Sequence, residues 1–285
     1  TGGVGGNGGL FYGNGGHGIK VFGVGVVGNE ILNNVIGNNG GNGIEAECPN
    51  APPSAEPQTL IAGNHIGVTL DQAGTSIVNI ANTLSGILIK NTANVQIGDI
   101  GANAGNTIGG NGEHGIKLTG KAPNPAPPIF RDGPIPFSTH LMRNYIGVLF
   151  NVSGEPLPAG NGLNGIIGED VAGVLVGGDT PDMANSIMAN GNLGVLFRMV
   201  HATASQPVAA KVTGNNIGAL FDALGNITTN LGNALGGIEA ENSSAIEIGG
   251  QEPEDPVNLV ASNGGFGIKA ASSTAITLAR NTVIK

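Results

Sequence analysis

An apolar residue directly after a glycine recurs along the whole chain. This Gly-Ile or Gly-Val step usually follows Asn, Gly or His, and its apolar residues lie 25, 43, 29, 50, 29, 43 and 30 positions apart. The apolar residues are Ile19, Ile44, Ile87, Ile116, Ile166, Val195, Ile238 and Ile268. Short and long units therefore alternate. Such periods are typical of solenoids, in which each repeat buries its apolar face against its neighbours.

The short unit predicts three strands separated by polar turns. It is clearest between Val95 and Ile116, where Val95-Gln-Ile97 has the two-residue alternation of a half-buried strand. We expect the Ile and Val side chains to point inward and to stack on the equivalent residues of the next coil. Asn and Gly should occupy the corners, because both tolerate positive φ and Asn amides can hydrogen-bond along a stack.

The long unit carries an Asn-x-Ile-Gly motif, which begins at Asn64, Asn144 and Asn215. From that Asn to the next Gly-Ile residue the distance is 23, 22 and 23 positions. A variable loop precedes each motif, and the first two loops are rich in proline. The loops span Cys48–Pro57, Lys121–Pro136 and His201–Pro207. Proline cannot donate to a strand ladder, so we expect these insertions to leave the coil, all from the same edge.

The Asn-x-Ile-Gly and Ile-Gly-Gly segments resemble the repeats of right-handed parallel β-helix proteins from bacterial surfaces and secretions. The resemblance covers nearly the whole chain. It implies one all-β domain over residues 1–285, a right-handed single-stranded parallel β-helix with alternating short and long units and Pro-rich loop insertions. Pectate lyases, epimerases, phage tailspikes, adhesins and stalk proteins share this architecture. The resemblance therefore implies a fold and an extracellular or cell-surface location, and leaves the activity open.

The composition excludes several classes of protein. The chain has 285 residues, of which 52 are Gly; hydrophobic residues make up 40% and charged residues 11%, which disfavours disorder. The net charge of −9 has no basic cluster to offset it, so nucleic acid is not an expected partner. No apolar run approaches the roughly 20 residues that span a bilayer. Cys48 is the only cysteine, and we expect a buried or tolerated thiol.

Two motifs that could carry chemistry have stronger structural interpretations. The run from Gly23 to Gly28 matches GxGxxG, but short Asn-rich turns follow it instead of a helix, so no cofactor is expected. Two GIEAE strands hold carboxylate pairs that could bind a cation or act as acid and base. Lysines occupy the equivalent positions in other repeats, which predicts a solvated stripe of mixed charge. The residues of this stripe are Lys20, Glu45, Glu47, Lys117, Glu239, Glu241 and Lys269.

An enzyme that acts on acidic polysaccharides is the weaker alternative. It needs clustered cations and aromatic platforms, whereas the cations are spread over different units, there is no Trp, and the tyrosines are Tyr12 and Tyr145. These cations are Arg131, Arg143, Arg198, Lys211 and Arg280. The histidines, which are expected to fill turns and not to bind metal, are His17, His65, His114, His140 and His201. No catalytic or metal-binding residue is assigned.

Both ends of the sequence fall inside the repeat. If Thr1 of a second copy followed Lys285, Asn281 would lie 4 + 19 = 23 positions before Ile19, the spacing found at 64–87 and 215–238. This match favours a structural protein that stacks head to tail into a filament. A fragment of a longer surface adhesin or stalk is the alternative, and surface glycans are a second candidate partner. The expected assembly residues are Thr1, Val4, Leu10, Phe11, Tyr12, Ile19, Ile268, Ile276, Leu278, Arg280, Asn281, Val283 and Lys285.

Overall fold

The chain folds as a right-handed parallel β-helix with three faces. The computed structural model describes residues 13–23, 28–48, 59–92, 94–101, 104–120, 139–203, 207–222, 226–251 and 253–284. Within these residues each coil contributes one strand to each of three parallel sheets, and every sheet has eight strands in chain order. The predicted fold class is thus confirmed. The three strands of the short unit are also confirmed, because its apolar segments supply one strand to each sheet.

We number the sheets 1 to 3 in the order in which each coil contributes a strand to them. Sheet 1 holds the Gly-Ile strands: Ile19–Phe22, Ile44–Glu47, Ile87–Lys90, Ile116–Thr119, Ile166–Glu169, Leu193–Arg198, Gly236–Glu241 and Phe266–Ala271. Sheet 2 holds Asn29–Leu32, Thr59–Ala62, Val95–Ile97, Thr139–Leu141, Val174–Gly177, Ala210–Thr213, Ser244–Ile248 and Thr274–Leu278. Sheet 3 holds Val35–Ile36, His65–Ile66, Thr107–Ile108, Tyr145–Ile146, Ser186–Ile187, Asn216–Ile217, Asn258–Ala261 and Asn281–Ile284.

Columns of β-branched side chains fill the interior. In sheet 1 the strand register stacks each Gly-Ile residue on its equivalent in the next coil, and the six middle members are fully buried. Ile66, Ile108 and Ile146 form a similar column in sheet 3. Full burial of each such side chain contributes roughly 1.5–3 kcal/mol. The predicted inward stacking of Ile and Val is confirmed.

A ladder of asparagines closes the corner between sheets 2 and 3. Each side-chain Nδ2 donates to the Oδ1 of the next coil at 2.8–3.1 Å. This first ladder consists of Asn34, Asn64, Asn106, Asn144, Asn185, Asn215, Asn258 and Asn281. It includes the three Asn residues of the Asn-x-Ile-Gly motifs, so the expected hydrogen bonding along a stack is confirmed.

A second ladder closes the corner between sheets 3 and 1. Its Nδ2–Oδ1 distances are 2.8–3.0 Å. The second ladder consists of Asn14, Asn39, Asn82, Asn111, Asn161, Asn190, Asn233 and Asn263. Interior amides of both ladders also donate to main-chain carbonyls, as Asn144 does to Ile97 and Met142. Two of the three corners are therefore held by buried amides whose hydrogen bonds are made within the fold.

Close approach of neighbouring coils explains the glycine of the Gly-Ile step. A Cβ on Gly115 would lie 2.6 Å from the carbonyl oxygen of Gly165, 2.8 Å from Cγ2 of Ile146 and 2.9 Å from Nδ2 of Asn161. The equivalent glycines in other interior coils meet the same three kinds of atom. A glycine is therefore required at this position, because the second ladder and the core column of sheet 3 leave no space for a side chain.

Insertions leave the coil at two fixed places. The three variable loops all connect a sheet 1 strand to the following sheet 2 strand, so they share one edge as expected; residues 49–58, 121–138 and 204–206 lie outside the described part of the chain. Three antiparallel hairpins follow sheet 3 strands. They pair Val68–Leu70 with Ile77–Asn79, Val148–Phe150 with Pro156–Pro158, and Ala219–Phe221 with Ile227–Asn230.

The remaining elements correct or complete the sequence interpretation. A 3₁₀ turn spans Pro181–Met183. Gly28 of the GxGxxG match is followed by the strand Asn29–Leu32, where a dinucleotide site would require a helix. His65 and His140 lie in strands of sheets 3 and 2, so the expectation that the histidines fill turns is wrong for these two.

The first prediction concerns an interior rung of the first ladder. Asn144→Ala removes Nδ2 bonds to Ile97, Met142 and Asn185 and the acceptor for Asn106, leaving several buried groups unpaired. We expect the free energy of unfolding to fall by about 3 kcal/mol, against about 1 kcal/mol for Asn34→Ala at the exposed end of the same ladder. Urea unfolding followed by circular dichroism measures both. Equal losses would contradict the structural role of the buried ladder.

The second prediction concerns the glycine step. Gly115→Ala forces an added methyl group against three fixed neighbours, so we expect it to destabilise the protein by about 1–3 kcal/mol. Gly15→Ala is the matched control, because a Cβ there has no atom within 4 Å. The midpoint of thermal unfolding should drop for the first variant and stay within error of wild type for the second. A tolerated Gly115→Ala would refute the steric explanation.

Candidate functional site

The outward face of sheet 1 carries the carboxylate pairs that could bind a cation or act as acid and base. At its first coils the Nζ of Lys20 lies 3.0 Å from Oε1 of Glu45, and the Nζ of Lys90 lies 3.1 Å from Oε1 of Glu47. His17 contacts the second oxygen of Glu45 at 3.0 Å. Each of these contacts joins one coil to the next, so the side chains bridge the strands from outside.

The same face carries a longer network toward the other end. The guanidinium of Arg198 lies 3.2 Å from Oε1 of Glu169 and 2.8 Å from Oε2 of Glu241, which raises the pKa of Arg198 chiefly through the hydrogen bond to Glu241. Lys117 contacts the other oxygen of Glu169 at 3.1 Å. Lys269 lies 2.7 Å from Glu239 in the last pair of coils.

These contacts confirm the mixed charge of the stripe, but the expectation of a solvated stripe is wrong for Glu45, which is buried with 7% of the residue exposed. Five cations and five carboxylates pair along the face, so their sum is zero. Burial alone raises the pKa of the Glu45 carboxyl, but Lys20, His17 and Asn42 together hold that pKa below its ordinary value. The Glu45 carboxylate therefore stays ionised and engaged with its cations. Such a face is suited to joining coils, and each exposed pair contributes about 0.2–1 kcal/mol.

The histidines occupy separate places. His17 and His114 lie in the same turn column, three coils apart, and the ring Nδ1 of each accepts from the backbone of the following coil, from Asn42 and Asn164. Among the described residues no cluster of three or more His, Cys, Asp or Glu side chains could hold a metal ion. The turn position predicted for His17 and His114 is confirmed.

The cations considered for uronate binding do not converge. Arg143 donates from Nη1 to the main-chain carbonyls of Ile100 and Gly101, at 2.6 and 3.0 Å. Lys211 lies 3.5 Å from Asp179, and Arg198 is held by its two glutamates. Arg280 lies in the turn before the last sheet 3 strand, and Arg131 is outside the described residues. Three of the four described cations, Arg143, Arg198 and Lys211, are thus engaged in separate contacts.

Cys48 is buried, as expected. Its backbone N–H donates to Oγ1 of Thr92 at 2.8 Å, and 1% of the residue is exposed. Burial, and secondly the Glu47 carboxylate, raise the pKa of the thiol. Because the thiolate is the reactive form, both effects disfavour a nucleophilic role.

The last described coil exposes apolar side chains that are buried in every interior coil. Leu278 is 55% exposed and Val283 is 52% exposed, whereas their register equivalents Ile248 and Val260 are 1% and 0% exposed. Ile268 and Ile276 are partly buried against the core. Within the described part of the chain, the strands Phe266–Ala271, Thr274–Leu278 and Asn281–Ile284 form one edge of all three sheets.

The opposite edge within the described residues is formed by the first described coil. Ile19 is partly buried at the edge of sheet 1, while Ile31 and Ile36 are each 6% exposed. Asn14 and Asn34, the first members of the two ladders, are exposed. The expected assembly residues Thr1, Val4, Leu10, Phe11, Tyr12 and Lys285 lie outside the described residues.

Comparisons with known proteins find distant structural similarities. No protein-family model and no curated protein matches the chain. The periplasmic alginate epimerase AlgG matches at 12% identity with a TM-score of 0.46, over 92% of this chain and 47% of that chain. A mutant of that epimerase matches at 15% identity with a TM-score of 0.49, over 89% and 50%. The Dettilon tailspike protein matches at 16% identity with a TM-score of 0.28, over 89% and 54%.

With identities of 12–16% and TM-scores below 0.5, these matches support no conclusion about the activity of this chain. The chain spans about half the length of the solved structures it matches. No helix in the described residues is both long and apolar enough to cross a bilayer.

The third prediction is a loss of stability on acidification. Burial lowers the pKa of His140 to about 4, although its ring Nε2 contacts the carbonyl of Gly177. The unfolded chain binds this proton near pH 6.5 and the folded chain does not, so stability is complete above pH 6.5 and declines as the pH falls toward 4. We expect about 2 kcal/mol of this decline to disappear in His140→Gln. Urea unfolding at pH 7.0, 5.5 and 4.5 measures how the free energy of unfolding changes with pH in each protein. The same dependence on pH in wild type and His140→Gln would disprove the assignment.

Proposed function

We propose that this chain is a structural β-helix of an extracellular or cell-surface protein, and that it associates end to end through its outermost coils. The observation that carries the proposal is the exposed core of the last described coil. Leu278 and Val283 occupy core positions, yet more than half of each residue faces solvent. A solenoid face with exposed core residues of this kind is prone to add a further coil.

Strand edges add to this apolar face. A strand at the edge of a sheet presents unpaired N–H and C=O groups, and here three parallel sheets end together in one coil. A second copy that docks on this coil would extend all three sheets at once and would bury Ile268, Ile276, Leu278 and Val283. The contact thus combines main-chain hydrogen bonds with burial of core residues, as the interior coils do.

The lateral surface supports a structural role over an enzymatic one. On sheet 1 the cations and carboxylates neutralise one another between coils, and Arg143 and Lys211 are engaged elsewhere. An acidic polysaccharide would have to displace these contacts to bind. The extracellular or cell-surface location is part of the proposal, and the resemblance of the repeats to β-helix proteins of bacterial surfaces and secretions supports it.

The fourth prediction tests the end contact. The wild-type chain should form larger species as its concentration rises, and the double variant Leu278→Lys, Val283→Lys should stay monomeric, because two charges on the exposed core face oppose docking. Thr277→Lys is the matched control, since Thr277 lies on the outward face between two core positions and is exposed. Sedimentation velocity and negative-stain electron microscopy measure size and shape.

Two results would overturn the proposal. Wild-type chains that remain monomeric at high concentration would exclude end-to-end association. Assembly that Thr277→Lys abolishes as fully as the double variant would show that the exposed core positions do not carry the contact. Turnover of an acidic polysaccharide by the wild-type chain would instead favour the competing proposal, a carbohydrate-active β-helix.

A further inference from the structure

We propose that the second asparagine ladder is a modification site that the fold protects: its Asn-Gly steps deamidate once a coil opens, and a coil modified in this way does not close again. The ladder then makes the opening of a coil permanent. This property does not depend on the proposed end-to-end association, because it arises within a single chain.

The two ladders differ in the residue that follows each asparagine. No member of the first ladder precedes glycine, since its members lead directly into the strands of sheet 3, as Asn144 does into Tyr145. Six of the eight members of the second ladder precede glycine: Asn14, Asn39, Asn111, Asn161, Asn190 and Asn263. Glycine has no Cβ, so its main-chain nitrogen can approach the preceding side chain without steric hindrance. Asparagine therefore deamidates most readily when glycine follows it.

Deamidation is an attack within the chain. The main-chain nitrogen of the glycine loses its proton and bonds to Cγ of the asparagine. The Cγ–Nδ2 bond then breaks, and Nδ2 takes up a proton and leaves as ammonia. The resulting succinimide ring adds one water and opens to aspartate or isoaspartate. The net reaction consumes one water, releases one ammonia and replaces a neutral amide with a carboxylate.

Hydrogen bonds hold both reacting groups at Asn161. Its Oδ1 accepts from Nδ2 of Asn111 at 2.9 Å, and its own Nδ2 donates to Oδ1 of Asn190 at 2.9 Å and to the carbonyl of Ile108 at 3.2 Å. The attacking nitrogen is engaged as well, because the N–H of Gly162 donates to the carbonyl of Asn111 at 2.8 Å. Neither group can turn toward the other until these hydrogen bonds break.

The neighbouring steps are held in the same way. The N–H of Gly112 donates to the carbonyl of Asn82, and the N–H of Gly191 donates to the carbonyl of Asn161, both at 2.9 Å. The asparagines at 111, 161 and 190 are each 1% exposed, whereas the glycines that follow them are exposed. Water is therefore available as soon as a rung opens, so the hydrogen bonds of the ladder control the reaction.

A modified rung does not fit the ladder. At position 161 a carboxylate would set an oxygen in place of Nδ2, against the carbonyl of Ile108 and the Oδ1 of Asn190, where a donor is required. Buried acceptors that face one another without a hydrogen destabilise the folded state. Isoaspartate also adds a methylene group to the main chain, which lengthens the turn between sheets 3 and 1. The coil therefore cannot recover its original hydrogen bonds.

Our fifth prediction compares deamidation in the folded and the unfolded chain. Both are incubated in mildly alkaline buffer, one of them with enough guanidinium chloride to unfold it, and peptide mapping by mass spectrometry follows each site. We expect Asn111, Asn161 and Asn190 to deamidate at least about 100-fold faster in the unfolded chain, because the folded chain reacts only through rare local opening. Asn82 and Asn144, which precede Thr and Tyr, are internal controls and should stay largely unmodified in both.

Two further measurements test whether the change is permanent. Chains returned to native buffer after increasing times should regain the circular dichroism signal only in proportion to their unmodified fraction. Asn161→Asp, which places a carboxylate at a buried rung, should unfold at a lower temperature than wild type. Asn230→Asp is the matched control, because Asn230 is exposed at the end of a hairpin strand, and it should unfold at the wild-type temperature.

The possible results separate the two parts of the proposal. Equal rates of deamidation at Asn161 in folded and unfolded protein would overturn the protection by the fold. Full recovery of the signal by chains with modified rungs, or an unchanged unfolding temperature for Asn161→Asp, would overturn the permanence. If refolding is incomplete even directly after unfolding, the comparison of Asn161→Asp with Asn230→Asp decides the second part.

Discussion

The stacking of buried asparagine amides is the interaction on which the rest of this structure depends. A three-sided coil must turn sharply between its strands, and a turn leaves main-chain groups without ladder partners. At two of the three corners an Asn side chain supplies those partners and binds its neighbours above and below. The register of every sheet then follows from the ladders, because a slip by one residue would break a row of buried hydrogen bonds. Sixteen of the 34 asparagines in the sequence serve this purpose.

The ion pairs on the outer face of sheet 1 also join each coil to the next. The ion pairs of sheet 1 run between adjacent strands, and Arg198 bridges three successive coils through Glu169 and Glu241. Charges paired in this way leave this face of sheet 1 without net charge. In the described residues, the core columns, the corner ladders and the ion pairs of sheet 1 thus all link each coil to the next.

Much of this architecture could be predicted from the sequence, because a solenoid repeats its local rules. The Gly-Ile spacing gave the coils, and the Asn-x-Ile-Gly motif gave part of the first ladder. The second ladder was missed, although a signal exists: one Asn lies five positions before each Gly-Ile residue, as Asn82 does before Ile87 (87 − 82 = 5). The salt-bridge partners could not be predicted, since they depend on which coil faces which. His140 was placed in a turn for the same reason: its burial arises from packing around sheet 2 and has no local signature.

The hairpins explain why the coils come in pairs. Each hairpin follows a sheet 3 strand of every second coil, and the first two pack their side chains together, with Val68, Leu149 and Ala159 buried between them. Strands in a sheet are about 4.8 Å apart, but side chains packed face to face need about 10 Å. A hairpin on every coil would collide with its neighbour, whereas one on every second coil has about the thickness that a packed layer requires. The alternation of short and long units therefore matches the spacing of the hairpins to the thickness of a packed layer. A third kind of coil inserted between them would leave the outer layer of hairpins either too crowded or poorly packed.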